Sequence, residues 1–226
     1  MSTPYRTILT GANGGIGLAM ANVPAPVSSS LLLLGRNQLT LGALANTLST
    51  RNPTCAVSIL AGDLSQHAYL EQVAEHAHRM QTNLLINNAG IHCFGSTAQT
   101  PLNTQHQVID CNLWAPMQLT GMVLPTLLKQ NTAQVIQVGS VFGYIGYPGN
   151  AAYCASKFGL RGYSQALARE LANTPVRVKY FAPRATQTPL NSDAVNALNT
   201  ALNVATDTPE DVAQQLPIIQ TFFKAP

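Results

Sequence analysis

Thr10-Gly11-Ala12-Asn13-Gly14-Gly15-Ile16-Gly17 is the stretch on which the reading of this chain turns. It follows Tyr5–Thr10 (YRTILT), a run apolar enough for a buried strand, and it leads into a helical segment. A glycine pattern carries meaning in that strand-to-helix setting. Gly11 permits a tight turn, Gly15 lets the backbone approach a pyrophosphate, and Gly17 lets a helix pack closely on a strand. The helix start then offers free N–H groups and the positive end of its dipole to phosphates. Asn13 and Ile16 belong with these glycines as candidate cofactor contacts. An ordinary Gly-rich turn is the alternative reading of the same residues.

Outward from this turn, short apolar runs alternate with longer segments of helical periodicity. The runs are Leu31–Leu34, Ala56–Leu60, Asn83–Asn87, Ala133–Val138 and Val176–Phe181. The helical segments include Leu39–Leu48, Tyr69–Met80, Val108–Leu128 and Ala151–Leu171. Strand and helix in alternation predict an α/β fold, a doubly wound parallel sheet of six strands with right-handed crossovers. With no linker-like stretch, residues 1–226 read as a single dinucleotide-binding and catalytic domain. The Asn-, Ser-, Thr- and Pro-rich zone 183–208 reads as a mobile flap over a site.

The end of the second strand is where such a sheet reads a ribose. Here it carries Leu34-Gly35-Arg36-Asn37, with no carboxylate to accept from ribose hydroxyls. Arg36 can pair instead with a 2′-phosphate, so NADP(H) is expected over NAD(H). A solvated surface arginine is the bland alternative. After the third strand, Asp63 and Leu64 (Gly62-Asp63-Leu64-Ser65) are placed to meet an adenine, although Asp63 serves equally as a helix cap.

Tyr153 and Lys157 are four residues apart in a helical segment and share one face. A free phenol, with a pKa of about 10, is a weak base at neutral pH. A neighbouring ammonium and an oxidised nicotinamide favour its phenolate and tune it for proton exchange. Ser140, at the end of the fifth strand, lies where open α/β sheets bind ligands. Asn112 is an amide on an apolar helix, either a satisfied core residue or part of a water relay toward Lys157. These four are the candidate catalytic set.

Bulk properties narrow the class further. Of 226 residues, 46% are hydrophobic and only 9% charged, which excludes a disordered chain. The net charge of +3 comes with no basic block, so nucleic acid is not an expected partner. No apolar run is long enough to span a bilayer and no signal peptide is evident, so a cytoplasmic location is expected. Cys55, Cys93, Cys111 and Cys154 form no CxxC pair and read as reduced thiols. His76 and His78 are two apart on a helix and point different ways, so no metal is expected. Phe94, Phe142, Tyr144 and Tyr147 flank the expected cleft and either shape an apolar substrate pocket or pack the core. His92 is a weaker candidate for substrate contact.

Taken together, Thr10-Gly11-xxx-Gly15-x-Gly17, Asn87-Asn88-Ala89-Gly90, Asn112, Ser140 and Tyr153-xxx-Lys157 resemble the short-chain dehydrogenase/reductase family, in its compact branch. The resemblance covers nearly the whole chain. It implies a Rossmann-type sheet of order 3-2-1-4-5-6, with Tyr153 as acid/base, Lys157 as its electrostatic tuner, Ser140 as oxygen anchor and Asn112 as relay support. It also implies cofactor contacts from Asn88, Ala89, Gly90, Tyr153, Lys157, Pro183, Thr186 and Thr188, a homodimer or homotetramer, and a small carbonyl or alcohol substrate. The chain departs from the family pattern at Pro183-Arg184, where Pro-Gly is usual, and at Asn13-Gly14, where a helper cation is often found. Thr208–Lys224 reads helical, so a seventh strand is expected to be missing.

Hydride transfer between NADP(H) and a carbonyl/alcohol pair is therefore the expected function. A non-catalytic NADP(H)-binding sensor or scaffold is the alternative, and it would not need Tyr153 and Ser140 together. A nucleotide-sugar epimerase or dehydratase is disfavoured by the form of the glycine loop and by the chain length.

Overall fold

The computed structural model describes residues 4–191, 193–201 and 203–216. Six strands form one sheet: β1 (Tyr5–Leu9), β2 (Ser28–Gly35), β3 (Ala56–Ala61), β4 (Leu84–Asn87), β5 (Ala133–Val138) and β6 (Val176–Phe181). Their order is β3-β2-β1-β4-β5-β6, and every neighbouring pair is parallel. The expected architecture is therefore present, and the described residues contain six strands. The α/β sheet is doubly wound, with helices on both faces.

Strand alternation explains why the runs look uniformly apolar. Successive side chains point to opposite faces, so a sheet covered on both faces needs hydrophobic residues at every position. In β2, Leu31 and Leu33 enter one core while Leu32 and Leu34 enter the other. The first core takes Met20 of helix α1 (Gly15–Ala21), Leu41 and Leu48 of α2 (Gln38–Arg51), and Val212 near the chain end. The second takes Leu70 and Val73 of α3 (His67–Met80), then Leu119, Val123 and Leu127 from a later helix.

That later helix is longer and less regular than its apolar pattern predicts. It begins as α4 (Leu102–Ile109), passes through a π-helical turn at Asp110–Trp114 and continues as α5 (Ala115–Leu127). Its polar first turns lie outside the periodicity that marked Val108–Leu128. Strand β2 likewise starts earlier than Leu31, because Ser28 hydrogen-bonds Thr7 side chain to side chain (2.9 Å) and is buried without an apolar side chain. Helix α6 (Ala151–Glu170) matches its expected range closely.

Residues 183–208 hold more order than a bare loop. They contain α7 (Asp193–Ala201) and an isolated bridge pairing Thr186 with Asp207. Helix α8 (Pro209–Gln214) follows, started by a reciprocal Thr208–Asp211 capping box. The remainder of the expected helix Thr208–Lys224 falls largely on 217–226, outside the described residues. No helix among the described residues is long and apolar enough to cross a membrane.

Candidate active site

The carboxyl ends of β1, β4 and β5 meet at one cleft, which has a volume of about 460 Å³. Its wall includes Gly11, Asn13, Gly15, Ile16, Gly17, Arg36, Asp63, Leu64, Asn88, Ala89, Gly90, Tyr153, Lys157 and Thr188. The sequence candidates thus converge, although they come from positions spread over most of the chain.

The floor is a rigid double turn. Gly11 has φ +64°, a left-handed conformation natural to glycine, and any Cβ there would lie 2.8 Å from the Cα of Ala89. A Cβ on Gly17 would collide with the Gly11 carbonyl, so α1 packs onto the turn only with hydrogen at that site. The two turns are sewn together by Thr10. Its hydroxyl accepts from the N–H groups of Asn88 and Ala89, both at 2.9 Å. The Asn88 amide donates back to the carbonyls of Thr10 (3.1 Å) and Gly11 (3.2 Å). The residues fit a dinucleotide: glycines where side chains would fill the cradle, and unprotected backbone at a helix start.

Asn13 donates to the Thr40 hydroxyl (3.0 Å), which fixes the rim of the turn against α2. Arg36 is exposed and makes no ion pair among the described residues. It lines both the cleft and an adjoining hollow formed with Asn13, Gly14, Asn37, Gln38 and Leu39. Asp63 is exposed, and its carboxylate accepts from Ser65 N–H (2.9 Å). It therefore caps its own turn while also lining the cleft.

Helix α6 carries Tyr153, Ser156 and Lys157 on its buried face. The Lys157 ammonium donates to the Val138 carbonyl (3.0 Å) and lies 5.6 Å from the centroid of the Tyr153 ring. Burial pushes Lys157 down to about 8, partly opposed by its attraction to Cys111. Burial pushes the Tyr153 phenol up to about 12, against the lowering effect of its hydrogen bond with Ser140. The sequence led us to expect a phenol lowered by the ammonium. In the protein alone desolvation is the largest effect on Tyr153, and the charge of oxidised nicotinamide, the other half of that expectation, is not part of this balance.

Ser140 sits directly behind Tyr153. Its oxygen accepts from Phe142 N–H (3.1 Å), which leaves the hydroxyl proton free to turn toward the phenol. Asn112, in the π-helical turn, spends its whole amide: its oxygen accepts from Ile91 N–H (2.8 Å), and its nitrogen donates to the Ile91 carbonyl (2.8 Å) and Ser156 (3.2 Å). It is a satisfied buried amide that pins the loop at Ile91, just beyond Gly90. A Cβ on Gly90 would lie 3.3 Å from the Asn112 oxygen and 3.8 Å from the Lys157 nitrogen, so the two side chains are near neighbours. Pro183 and Thr186, expected as cofactor contacts, are not among the residues that line the cleft. The Pro183 carbonyl accepts from Val141 N–H (3.1 Å), and Thr186 donates to the Arg184 carbonyl (2.9 Å).

Tyr180, Cys111 and Leu190 are among the contributors that escaped the sequence reading. Tyr180 in β6 accepts from Ser140 N–H (3.2 Å) and lies within donating distance of the Ser140 (3.2 Å) and Lys157 (3.3 Å) carbonyls. Cys111 and Leu190 also line the cleft. Nothing in one-dimensional spacing marks a tyrosine bonded across 40 residues. Arg184, where the family pattern has glycine, forms a bidentate pair with Asp207 at 2.8 and 2.6 Å.

Comparison with known proteins agrees with this geometry. The family model for short chain dehydrogenase matches residues 6–199. A sulfoacetaldehyde reductase from Chromohalobacter salexigens is 34% identical, covering 94% of this chain and 87% of its own length. The Mus musculus dehydrogenase/reductase SDR family member 7B is 28% identical over 84% of this chain, which spans only 60% of that relative. The solved short-chain dehydrogenase from Sphingobium yanoikuyae in complex with NADPH superposes with a TM-score of 0.85 at 29% identity, covering 94% of this chain and 82% of its own. This chain belongs to the short-chain dehydrogenase family, a family of NAD(P)-dependent oxidoreductases.

Proposed function

We propose that the protein reduces a carbonyl compound to an alcohol with NADPH, and runs the reverse reaction with NADP⁺, using Tyr153 as acid and base. The observation that carries this reading is buried Tyr153, which lines the same cleft as the glycine turn and is hydrogen-bonded to Ser140 at the end of β5. When bound, the reduced nicotinamide supplies the hydride. Tyr153 supplies the proton: the carbonyl carbon gains hydride, the oxygen gains the phenolic hydrogen, and the resulting phenolate is reprotonated from solvent. Ser140 holds the substrate oxygen beside the phenol. Lys157 holds the ribose and offers positive charge to the phenolate, and Asn112 keeps Ile91 and Ser156 in register behind it.

Exposed, unpaired Arg36 supports NADP(H) over NAD(H), with Asn13 shaping the same hollow. Thr188, facing Gly15 across the cleft, supports a role for zone 183–208 as a flap closing on the cofactor. The remaining assignments, Pro183 and Thr186 among them, act by holding that flap's base. We read residues 1–226 as one catalytic unit, in the cytoplasm, acting on a small molecule. Exposed Trp114 and Phe158, next to α5 and on α6, support a homodimer or homotetramer built on those helices.

The test is direct. Protein with NADPH and a panel of aldehydes and ketones should consume NADPH absorbance, with a lower KM for NADPH than for NADH. A clear NADH preference would refute the cofactor assignment. Binding without turnover across a broad panel would favour a sensor.

A further inference from the structure

In an open parallel sheet the substrate enters among the loops that leave the carboxyl ends of the strands. Here those are the loops after β4 (88–101), β5 (139–150) and β6 (182–208), and their chemistry is unusual. Across all three, Arg184 is the sole lysine or arginine in the sequence. Its charge is paired with Asp207, which takes the Nε–Nη2 edge of the guanidinium, with Nε at 2.8 Å and Nη2 at 2.6 Å. The nearby cation from α6, Arg161, donates to the Gly143 carbonyl (2.9 Å) and lies 4.2 Å over the Tyr144 ring. The charged residues that line the cleft are Arg36, Asp63, Asp110 and Lys157. Arg36 and Asp63 would flank the adenosine end of a bound dinucleotide, and Lys157 is bonded to Val138.

Around the Tyr153 ring the surface is aromatic. Phe142 meets it edge-to-face with centroids 6.2 Å apart and stacks at 5.5 Å on Tyr147. His92 meets it edge-to-face at 4.7 Å. The His92 Nε2 is 2.6 Å from the Asn150 oxygen, whose own amide nitrogen donates to the Pro148 carbonyl (3.2 Å). Nε2 therefore carries the proton, and burial lowers the pKa of this imidazole, which favours its neutral form. Phe94 packs against Gly149 beside this group and is 36% exposed, and Leu190 on the cleft wall is 42% exposed. Exposed apolar side chains around a reactive group mark the surface a substrate covers.

We infer that the substrate is an uncharged aldehyde, ketone or alcohol carrying an aromatic or similarly flat apolar group, and that carboxylates, sulfonates and phosphates are rejected. This rests on the oxidoreductase reading above and specifies its substrate class. An anion placed among these loops would lose water and find its one cation already neutralised. The inference separates this chain from its 34% identical relative, which is named for an anionic aldehyde.

The experiment compares methyl 4-formylbenzoate with 4-formylbenzoate, two aldehydes of nearly equal shape that differ in charge. NADPH consumption by the full chain should give kcat/KM about 30-fold or more in favour of the ester, the size expected for stranding one anion in a partly desolvated site. In parallel, thermal shift of the protein with NADP⁺ should respond to benzamide and not to benzoate. Equal or better turnover of the carboxylate overturns the inference, as does a shift with benzoate equal to that with benzamide, or with neither. Absence of turnover for both aldehydes, with the benzamide shift retained, refutes the oxidoreductase reading and leaves the substrate class supported.

Discussion

The Lys157 ammonium and the Val138 carbonyl lie 3.0 Å apart, inside a helix–strand contact where Lys157 is only 4% exposed. The bond satisfies one of three donors, and the burial that surrounds it lowers Lys157 from 10.5 to about 8. A charged lysine is thus kept where folding would prefer a neutral group.

The sign of the resulting pH effect follows from linkage. Between about 8 and 10.5 the unfolded chain binds this proton and the folded one does not, so stability rises with pH across that window. Lys157→Met should lack that rise. At pH 7 it should be more stable by up to roughly 3 kcal/mol, while losing most turnover. Urea melts of both proteins at pH 7 and pH 10 measure the difference.

Thr10→Val removes one hydroxyl and leaves the N–H groups of Asn88 and Ala89 without their acceptor. With shape conserved, the expected loss is about 1–3 kcal/mol. The two turns are then joined only by the Asn88 amide bonds to the Thr10 and Gly11 carbonyls, so the dissociation constant for NADPH should rise. Denaturant unfolding and cofactor fluorescence titration read the two effects separately.

Arg36→Leu should weaken NADPH while leaving NADH nearly unchanged, because only one of them brings a 2′-phosphate to the hollow beside Asn13. Loss of a charge-assisted pair worth about 1.5–3 kcal/mol corresponds to a rise of about 10- to 100-fold in KM for NADPH. Steady-state kinetics with both cofactors decide it.

Tyr180→Phe keeps the ring and deletes the hydroxyl that ties Ser140 to the Lys157 backbone. A stability loss of about 1–2 kcal/mol is expected. Because Ser140 then loses its tie to β6 and keeps only its bonds with Phe142, Gly143 and Tyr153, kcat should fall more than the affinity for cofactor. Equal kcat in the variant would show that Ser140 needs no such support.

The strands were legible because both faces of the sheet are buried, whereas their order came from the family resemblance. Leu31–Leu34 announces a strand in the sequence and proves to divide alternately between two cores. The glycine turn was legible because Gly11 and Gly17 answer steric demands that only glycine meets. The start of α4 at Leu102 was not, since its first turns are polar and exposed. Thr10, Tyr180 and the Arg184–Asp207 pair were hidden for another reason: each acts through a partner 23 to 79 residues away. The depth of Tyr153 and Lys157 was not legible, because helical spacing places an ammonium nearby but says nothing of how deeply both groups are buried.

The central claim is that the Tyr153 phenol is the proton donor, and Tyr153→Phe tests it most directly. Single-turnover reduction of an accepted carbonyl, with NADPH affinity measured on the same sample, should show the chemical step slowed by about 10²- to 10⁴-fold and cofactor binding unchanged. A variant that binds NADPH normally and still turns over at close to the parent rate would contradict the account.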